Sequence, residues 1–90
     1  MRYGDILRQA IDKWGVDAQM IIVVEECAEL IKAVVKHMRC PTLDTRGDII
    51  DEMADVSIMI GQLLIIMDCE KEYDGISQVK FERLKRRLES

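Results

Sequence analysis

The chain has 90 residues, of which 49% are hydrophobic and 33% are charged, with one proline and five glycines. This composition excludes disordered and fibrous chains, and the length suffices for one hydrophobic core, so we expect a single domain over residues 1–90. The formal net charge of -4 provides no basic field, so nucleic-acid binding is not expected.

Two amphipathic helices are predicted in the first half of the chain. Apolar residues recur at steps of three and four residues over positions 6–14, and Gly15 can end this first helix. Asp17 is a suitable N-cap for a second helix, whose apolar positions keep the same period to about residue 38.

An interruption separates the second helix from the third. Cys40, Pro41 and the polar residues through Gly47 break the apolar period, because proline restricts the preceding residue and lacks an N–H group. We expect the main loop, and the most mobile segment, at this point. The third helix is predicted to start near 45–48 and to carry apolar residues as far as Met67.

The second half of the third helix predicts self-association. Residues 56–67 are apolar almost all round, so they need burial on several sides, and three other helices of a small chain offer little material for it. The Asp-Gly pair at 74–75 is expected to form a turn before a last helix at 76–88. The apolar residues of that helix are expected to face a partner: Ile76, Val79, Leu84 and Leu88.

Neither a membrane segment nor a disulfide framework is expected. The stretch 56–67 is shorter than the roughly 18 residues that a membrane span needs, and the amino terminus lacks the apolar core of a signal peptide. Three cysteines without CxxC spacing indicate a reducing compartment, with Cys27 and Cys69 as small core side chains. The predicted location is therefore cytoplasmic, with no membrane partner.

Acidic residues form two groups, one on the second helix and one on the third: Glu25, Glu26 and Glu29, then Asp48, Asp51, Glu52 and Asp55. Glu26 and Glu29 are three residues apart, as are Glu52 and Asp55, so each pair projects from one helix face. Antiparallel packing of the helices would bring four carboxylates together. The alternative is a pair of solvated acidic faces.

The arrangement of these charges favours a cation site over a solvated face. A helix adapted only for solubility places Glu four residues before Lys, whereas here Glu25 precedes Glu29 and Asp51 precedes Asp55. Both groups also lie within apolar stretches, where repulsion between like charges requires a cation. Carboxylates without His or Cys suit Mg²⁺ or Mn²⁺ better than zinc, and such ions serve phosphate chemistry.

At this point the motifs resemble a known family. The sequence EECAEL at 25–30, followed by EMADV at 52–56, resembles the EExxE…ExxD signature of the MazG-like nucleoside triphosphate pyrophosphohydrolases, in particular their short single-domain phage and bacterial members. The likeness covers nearly the whole chain, including KWG at 13–15 and KFERL at 80–84. It implies an all-α, four-helix MazG-like fold that packs as a homodimer or homotetramer into an oligomeric helical bundle.

The resemblance also implies an activity. The expected enzyme is a Mg²⁺-dependent hydrolase, with Mn²⁺ as a possible substitute, that cleaves (d)NTPs to monophosphates and pyrophosphate in nucleotide-pool house-cleaning. By position, Glu26, Glu29, Glu52 and Asp55 would be the metal ligands. Glu25 and Glu26 are the catalytic candidates, with Glu25 supporting the site or orienting the attacking water, and the identity of the general base stays open.

Basic side chains are expected to bind the polyphosphate: Lys32, Lys36, Lys80 and Arg83. For Lys32 an ion pair with Glu29 is an equal alternative. For the basic last helix the alternative is a favourable interaction with its own C-terminus together with ion pairs between subunits.

Three other functions stay open. Phosphoribosyl-ATP pyrophosphatases and dimeric dUTPases belong to the same superfamily, and a comparison of nucleotide substrates would separate them from a house-cleaning enzyme. A non-catalytic helical interaction or antitoxin-like regulatory module would keep the acidic groups only for structure. Turnover that depends on Mg²⁺ distinguishes an enzyme from such a module.

Overall fold

A computed structural model describes residues 2–90, which form four α-helices and no strand. The helices are α1 (Tyr3–Trp14), α2 (Val16–Arg39), α3 (Leu43–Ile66) and α4 (Glu70–Glu89). The prediction of an all-α chain with four helices is confirmed. Across these residues no helix combines the length and apolar character needed to cross a membrane.

A single glycine separates α1 from α2. Gly15 has φ of 90°, a conformation that other residues adopt only with strain, and its N–H donates to the Ile11 carbonyl oxygen to close α1. Because Gly15 itself precedes α2, the prediction that Asp17 is the N-cap is wrong. Asp17 lies in the first turn of α2, where its charge suits the positive end of the helix dipole.

The connection between α2 and α3 is shorter than predicted. Only Cys40, Pro41 and Thr42 lie outside helices, because Thr42 forms a capping box with Thr45. The Thr45 N–H donates to Thr42 Oγ1 at 3.0 Å, and the Thr42 N–H donates to Thr45 Oγ1 at 2.9 Å. These bonds satisfy N–H groups at the helix start, so the polar residues through Gly47 are helical and the expected loop over 40–47 is wrong.

Thr45 also ties the two long helices together. Its side chain is buried, and Thr45 Oγ1 lies 2.7 Å from His37 Nδ1, near the end of α2. The hydrogen bond fixes the point where α2 turns back into α3. The two helices then pack as an antiparallel pair, and α1 packs on α3 beside Gly61, where a Cβ atom would lie 2.8 Å from Leu7 Cδ1.

The turn before α4 falls earlier than predicted. The chain turns at Met67, Asp68 and Cys69, and Asp68 adopts a left-handed φ of 48° that Asp tolerates better than most residues. The expected turn at 74–75 is therefore wrong, because both residues lie inside α4. One glycine in an exposed helix costs about 1 kcal/mol, which does not end a helix by itself.

The α2–α3 pair covers polar side chains at the contact between its helices and exposes apolar side chains, the reverse of the usual arrangement in a monomer. The side of α2 that packs on α3 carries Gln19, Glu26 and His37 among its partly or fully buried residues. A neighbouring side, about 110° round the helix, carries an exposed apolar stripe, here called the outer stripe, with residues at alternating steps of four and three: Met20, Val24, Cys27, Ile31, Val34 and Met38. Val24 is 68% exposed and Ile31 is 65% exposed. A monomer would bury such a stripe and expose the acids.

Few apolar side chains are covered within the chain. Of residues 2–90, only Ala33 and Met59 are buried hydrophobic side chains, and Cys27 and Cys40 are exposed while Cys69 is half-buried. The expectation that Cys27 is a core residue is therefore wrong for a single copy. The radius of gyration is 16.0 Å, whereas a compact chain of this length has about 12 Å.

Removal of the Thr45 hydroxyl should destabilise the fold. We expect Thr45→Val to lower the free energy of unfolding by about 1–2 kcal/mol, because it removes the reciprocal cap and the bond to His37 while keeping the side-chain volume. Thr45→Ser keeps the hydroxyl and serves as the control. Urea denaturation at one fixed protein concentration measures both. A Val variant as stable as wild type would show that the cap does not hold this junction.

Candidate metal centre

Three carboxylates meet between α2 and α3. Glu26 projects from α2, and Glu52 and Asp55, one helical turn apart, project from α3. One oxygen from each side chain lies within 4.8 Å of the others, and all three residues are half-buried. We call these residues the carboxylate cluster. The predicted convergence of acids from the two motifs is therefore present for three of the four proposed ligands.

The cluster disfavours its own negative charge. Burial raises the pKa of Glu26 above 4.5, and the charge of Asp55, a hydrogen bond to Asp55 and the charge of Glu52 raise it further. Burial also raises the pKa of Glu52, followed by the charges of Asp55, Glu29 and Asp51. Every charged group that shifts either pKa is acidic. No cation among residues 2–90 thus compensates the charge of these two carboxylates.

One oxygen of the cluster lacks a hydrogen-bond partner. Glu52 Oε2 is buried, and no donor of the described residues reaches it. A buried carboxylate oxygen is costly unless it accepts a hydrogen bond or binds a cation. The donor set contains only carboxylate oxygens, which are the ligands that Mg²⁺ and Mn²⁺ prefer. The residues present therefore fit a hard divalent cation.

The proposed ligand Glu29 lies beside the cluster rather than within it. Glu29 is exposed, and it lines a groove of about 210 Å³ together with Glu52. Lys32 and Lys36, two of the proposed phosphate-binding residues, line the same groove. Acidic and basic side chains thus line the same groove. The structure brings together Glu26, Glu52 and Asp55, and places Glu29 next to them with two lysines.

Three of the proposed site residues lie elsewhere in the chain. Glu25 is exposed and belongs neither to the cluster nor to the lining of the groove. Lys80 and Arg83 lie on α4, which contacts α3 but neither α1 nor α2. Within one copy these two basic side chains therefore do not approach the groove on α2 and α3.

Sequence reasoning gave no site role to two acids that the structure places in the groove. Asp48 and Asp51 line it opposite the lysines, and the charge of Asp51 raises the pKa of Glu52. Their spacing could have indicated this, because Asp48 lies four residues before Glu52 and Asp51 four residues before Asp55, and residues four apart share a helix side. The burial of Gln19 and Gln62 was also not predicted: they are only 2% and 3% exposed, and Gln19 Nε2 and Gln62 Oε1 have no hydrogen-bond partner within the described part of the chain.

Comparison of the chain with protein-family models, with curated proteins and with solved structures gave no match. The geometry described above and the motif residues are therefore the basis for any functional assignment.

The metal-free cluster should reduce stability at neutral pH. Because the folded chain raises the pKa values of Glu26 and Glu52, it binds protons more readily than the unfolded chain does. The melting temperature in EDTA should therefore rise as the pH is lowered from 7 through the raised pKa values of Glu26 and Glu52, and fall as the pH increases through them.

Removal of one charge provides a matched test. Glu52→Gln should melt at or above the wild-type temperature in EDTA at pH 7, with a flatter pH profile, and should gain less from millimolar Mg²⁺. Asp12→Asn removes an exposed charge on α1 and should retain the wild-type profile and Mg²⁺ response. A Gln variant that melts well below wild type in EDTA and keeps the full Mg²⁺ gain would indicate a structural carboxylate.

Proposed function

We propose that the chain is a Mg²⁺-dependent nucleoside triphosphate pyrophosphohydrolase, with Mn²⁺ as a possible substitute. The observation that carries the proposal is the meeting of Glu26, from the first acidic motif, with Glu52 and Asp55, from the second. The resemblance of these motifs to MazG-like enzymes supports the same activity. House-cleaning of (d)NTPs in the cytoplasm is the proposed role.

The groove supports chemistry on a phosphate chain. A divalent cation held by Glu26, Glu52 and Asp55, with Glu29 as a further ligand, would neutralise polyphosphate charge and lower the pKa of the attacking water. Lys32 and Lys36 line the neighbouring groove, where their ammonium groups can bind phosphate oxygens.

The reaction balances with residues of the same site. Water adds to phosphorus at the α–β anhydride, the bond from that phosphorus to the bridging oxygen breaks, and a monophosphate and pyrophosphate form. A carboxylate must accept the proton of the water. Of the two catalytic candidates, Glu26 lies in the cluster and is our proposed base, and Glu25, which is exposed and lies outside the cluster, is the alternative.

We also propose a homo-oligomer as the functional form. The chain exposes 7544 Å², whereas a compact monomer of this mass exposes roughly 5,400 Å². The outer stripe of α2 carries no charged side chain, as is typical of the core of a permanent interface. The groove of about 210 Å³ is also smaller than the roughly 300–1,000 Å³ of most small-molecule sites.

A non-catalytic helical interaction module is the second candidate. The exposed outer stripe favours it, because an apolar helix face of this length is a typical docking surface for another helix. An interaction module would not explain why a buried Glu52 oxygen lacks a hydrogen-bond partner among the described residues, or why the pKa values of Glu26 and Glu52 are raised. Its distinguishing result is tight binding of a different protein without Mg²⁺-dependent turnover.

Cluster substitutions should abolish the reaction. With millimolar Mg²⁺ and a panel of (d)NTPs, we expect release of pyrophosphate, and a rate lower by at least a hundredfold in Glu26→Gln and in Asp55→Asn. Asp12→Asn should retain the wild-type rate. Orthophosphate as the first product, or wild-type rates in both cluster variants, would contradict the proposal.

A charge in the outer stripe should weaken self-association. Ile31→Glu places a carboxylate among apolar side chains, so we expect its dissociation constant to increase at least tenfold in a sedimentation dilution series. Leu43→Glu, on an 87% exposed residue in the first turn of α3, is the control and should assemble as wild type does. A folded monomer of the wild-type chain at micromolar concentration would refute the oligomer.

A further inference from the structure

The contact between α2 and α3 is built in layers of facing side chains. Glu26 is hydrogen-bonded to Asp55 in one layer, and His37 Nδ1 lies 2.7 Å from Thr45 Oγ1 in another layer, nearer the turn. Because the helices are antiparallel, seven residues forward on α2 correspond to seven residues back on α3. Ala33 therefore lies in a layer between these two, across from position 48.

The layer of Ala33 is open. Ala33 and Asp48 both line the groove of about 210 Å³, and Ala33 is only 8% exposed, so its methyl group forms part of the groove floor. A methyl group and a short aspartate fill less of the space between two helices than the longer, hydrogen-bonded side chains of the neighbouring layers do. The groove therefore depends on the small size of residue 33.

Opposite charges line this groove without pairing across it. Lys32 and Lys36 lie on its α2 side, and Asp48 and Asp51 lie on its α3 side. Among residues 2–90 neither lysine forms an ion pair with an acid, and this includes Glu29, the alternative partner of Lys32. The lysines are thus available to an anion that enters between the helices. A phosphate chain with its divalent cation offers a counter-charge to both sides.

The groove suits a phosphate chain better than a whole nucleotide. Its volume of about 210 Å³ is below the roughly 300–1,000 Å³ of most small-molecule sites. Its lining consists of four acids, two lysines and one alanine, and contains no aromatic side chain on which a base could stack. The part of a nucleotide that this groove fits is therefore the phosphate chain.

We propose that Ala33 determines which ligands the groove admits: its small side chain keeps the groove open for a phosphate chain, and a larger side chain at this position excludes that chain. The identity of the ligand rests on the proposed function, whereas the opening at Ala33 does not. Side chains of a helix lean towards its N-terminus, so a longer side chain at position 33 would extend towards Glu29 and the carboxylate cluster. Ala33 itself lies about 10 Å along the helix from Glu26 and is a specificity-determining residue.

Inorganic tripolyphosphate tests the opening without any turnover. In millimolar Mg²⁺ we expect wild-type protein to bind tripolyphosphate in a calorimetric titration, and Ala33→Leu to bind it at least tenfold more weakly, because the added carbon atoms occupy the groove. Ala54→Leu makes the same change at an exposed position of α3 outside the groove and should bind as wild type does. Wild-type affinity in Ala33→Leu, or no binding by wild type, would overturn the proposal.

Mn²⁺ binding distinguishes a blocked groove from a damaged fold. Electron paramagnetic resonance of free Mn²⁺ should give Ala33→Leu the wild-type affinity for the ion, because the carboxylate cluster lies in another layer. Ala33→Val has a smaller side chain, serves if the Leu variant does not fold, and should show the same separation with a smaller loss of tripolyphosphate binding. Parallel loss of Mn²⁺ and tripolyphosphate binding would show that residue 33 acts only through the packing of the cluster, which contradicts the proposal.

Kinetics separates this inference from the proposed function. With a (d)NTP and Mg²⁺, Ala33→Val should raise KM at least fivefold and change kcat little, because it weakens binding that the ground state and the transition state share. A wild-type KM in this variant would overturn the role of Ala33 and leave the proposed activity intact. A wild type that binds tripolyphosphate but releases no pyrophosphate from any nucleotide would refute the proposed function, and the loss of tripolyphosphate binding in Ala33→Leu would still establish the role of Ala33.

Discussion

The structure depends on one constraint: the α2–α3 pair buries acidic side chains between its helices and exposes apolar side chains outside. Glu26, Glu52 and Asp55 lie at the helix contact, while the outer stripe lies on another side of α2 and is exposed. In a monomer the hydrophobic effect would favour the opposite arrangement. Each of these two features is unfavourable in a single copy and would be relieved by a suitable partner.

The two requirements differ in kind and in location. The carboxylate cluster favours a nearby positive charge, because burial and repulsion between the acids raise the pKa of Glu26 and Glu52. In addition, Glu52 Oε2 is buried without a hydrogen-bond partner among the described residues. The outer side requires apolar contact. In our proposal a divalent cation would meet the first requirement and a second copy of the chain the second, so the proposed catalysis and assembly both depend on the same two helices.

Local signals predicted much of the fold. The helical period and Gly15 identified α1 and α2, and the i, i+3 spacing of Glu52 and Asp55 predicted two carboxylates on one side of α3. The start of α3 was missed because a capping box with Thr as its second residue resembles a polar loop in sequence. The Asp-Gly pair at 74–75 is a weak turn signal, and the surrounding helix-forming residues of α4 override it.

The remainder could not be predicted, since it depends on relations between helices. Lys80 and Arg83 are residue types that bind phosphate, but where they lie depends on the direction of α4. That direction follows from the turn before α4, in which Asp68 has a left-handed φ. The burial of Gln19 and Gln62 likewise follows from helix packing and leaves no periodic signal in the sequence. Glu29 follows Glu26 by three residues, the spacing expected of a second carboxylate on the same helix side. It is nevertheless exposed and lines the groove beside the cluster.

The central claim, a cation site between α2 and α3, is tested most directly by Mn²⁺ titration with electron paramagnetic resonance, which detects free Mn²⁺ and does not depend on substrate. The account predicts that wild-type protein removes free Mn²⁺ from solution at saturable sites, that Glu52→Gln and Asp55→Asn bind it at least tenfold more weakly, and that Asp12→Asn binds it as wild type does. Equal Mn²⁺ binding by wild type and both cluster variants, or no binding by wild type at millimolar Mn²⁺, would contradict the account.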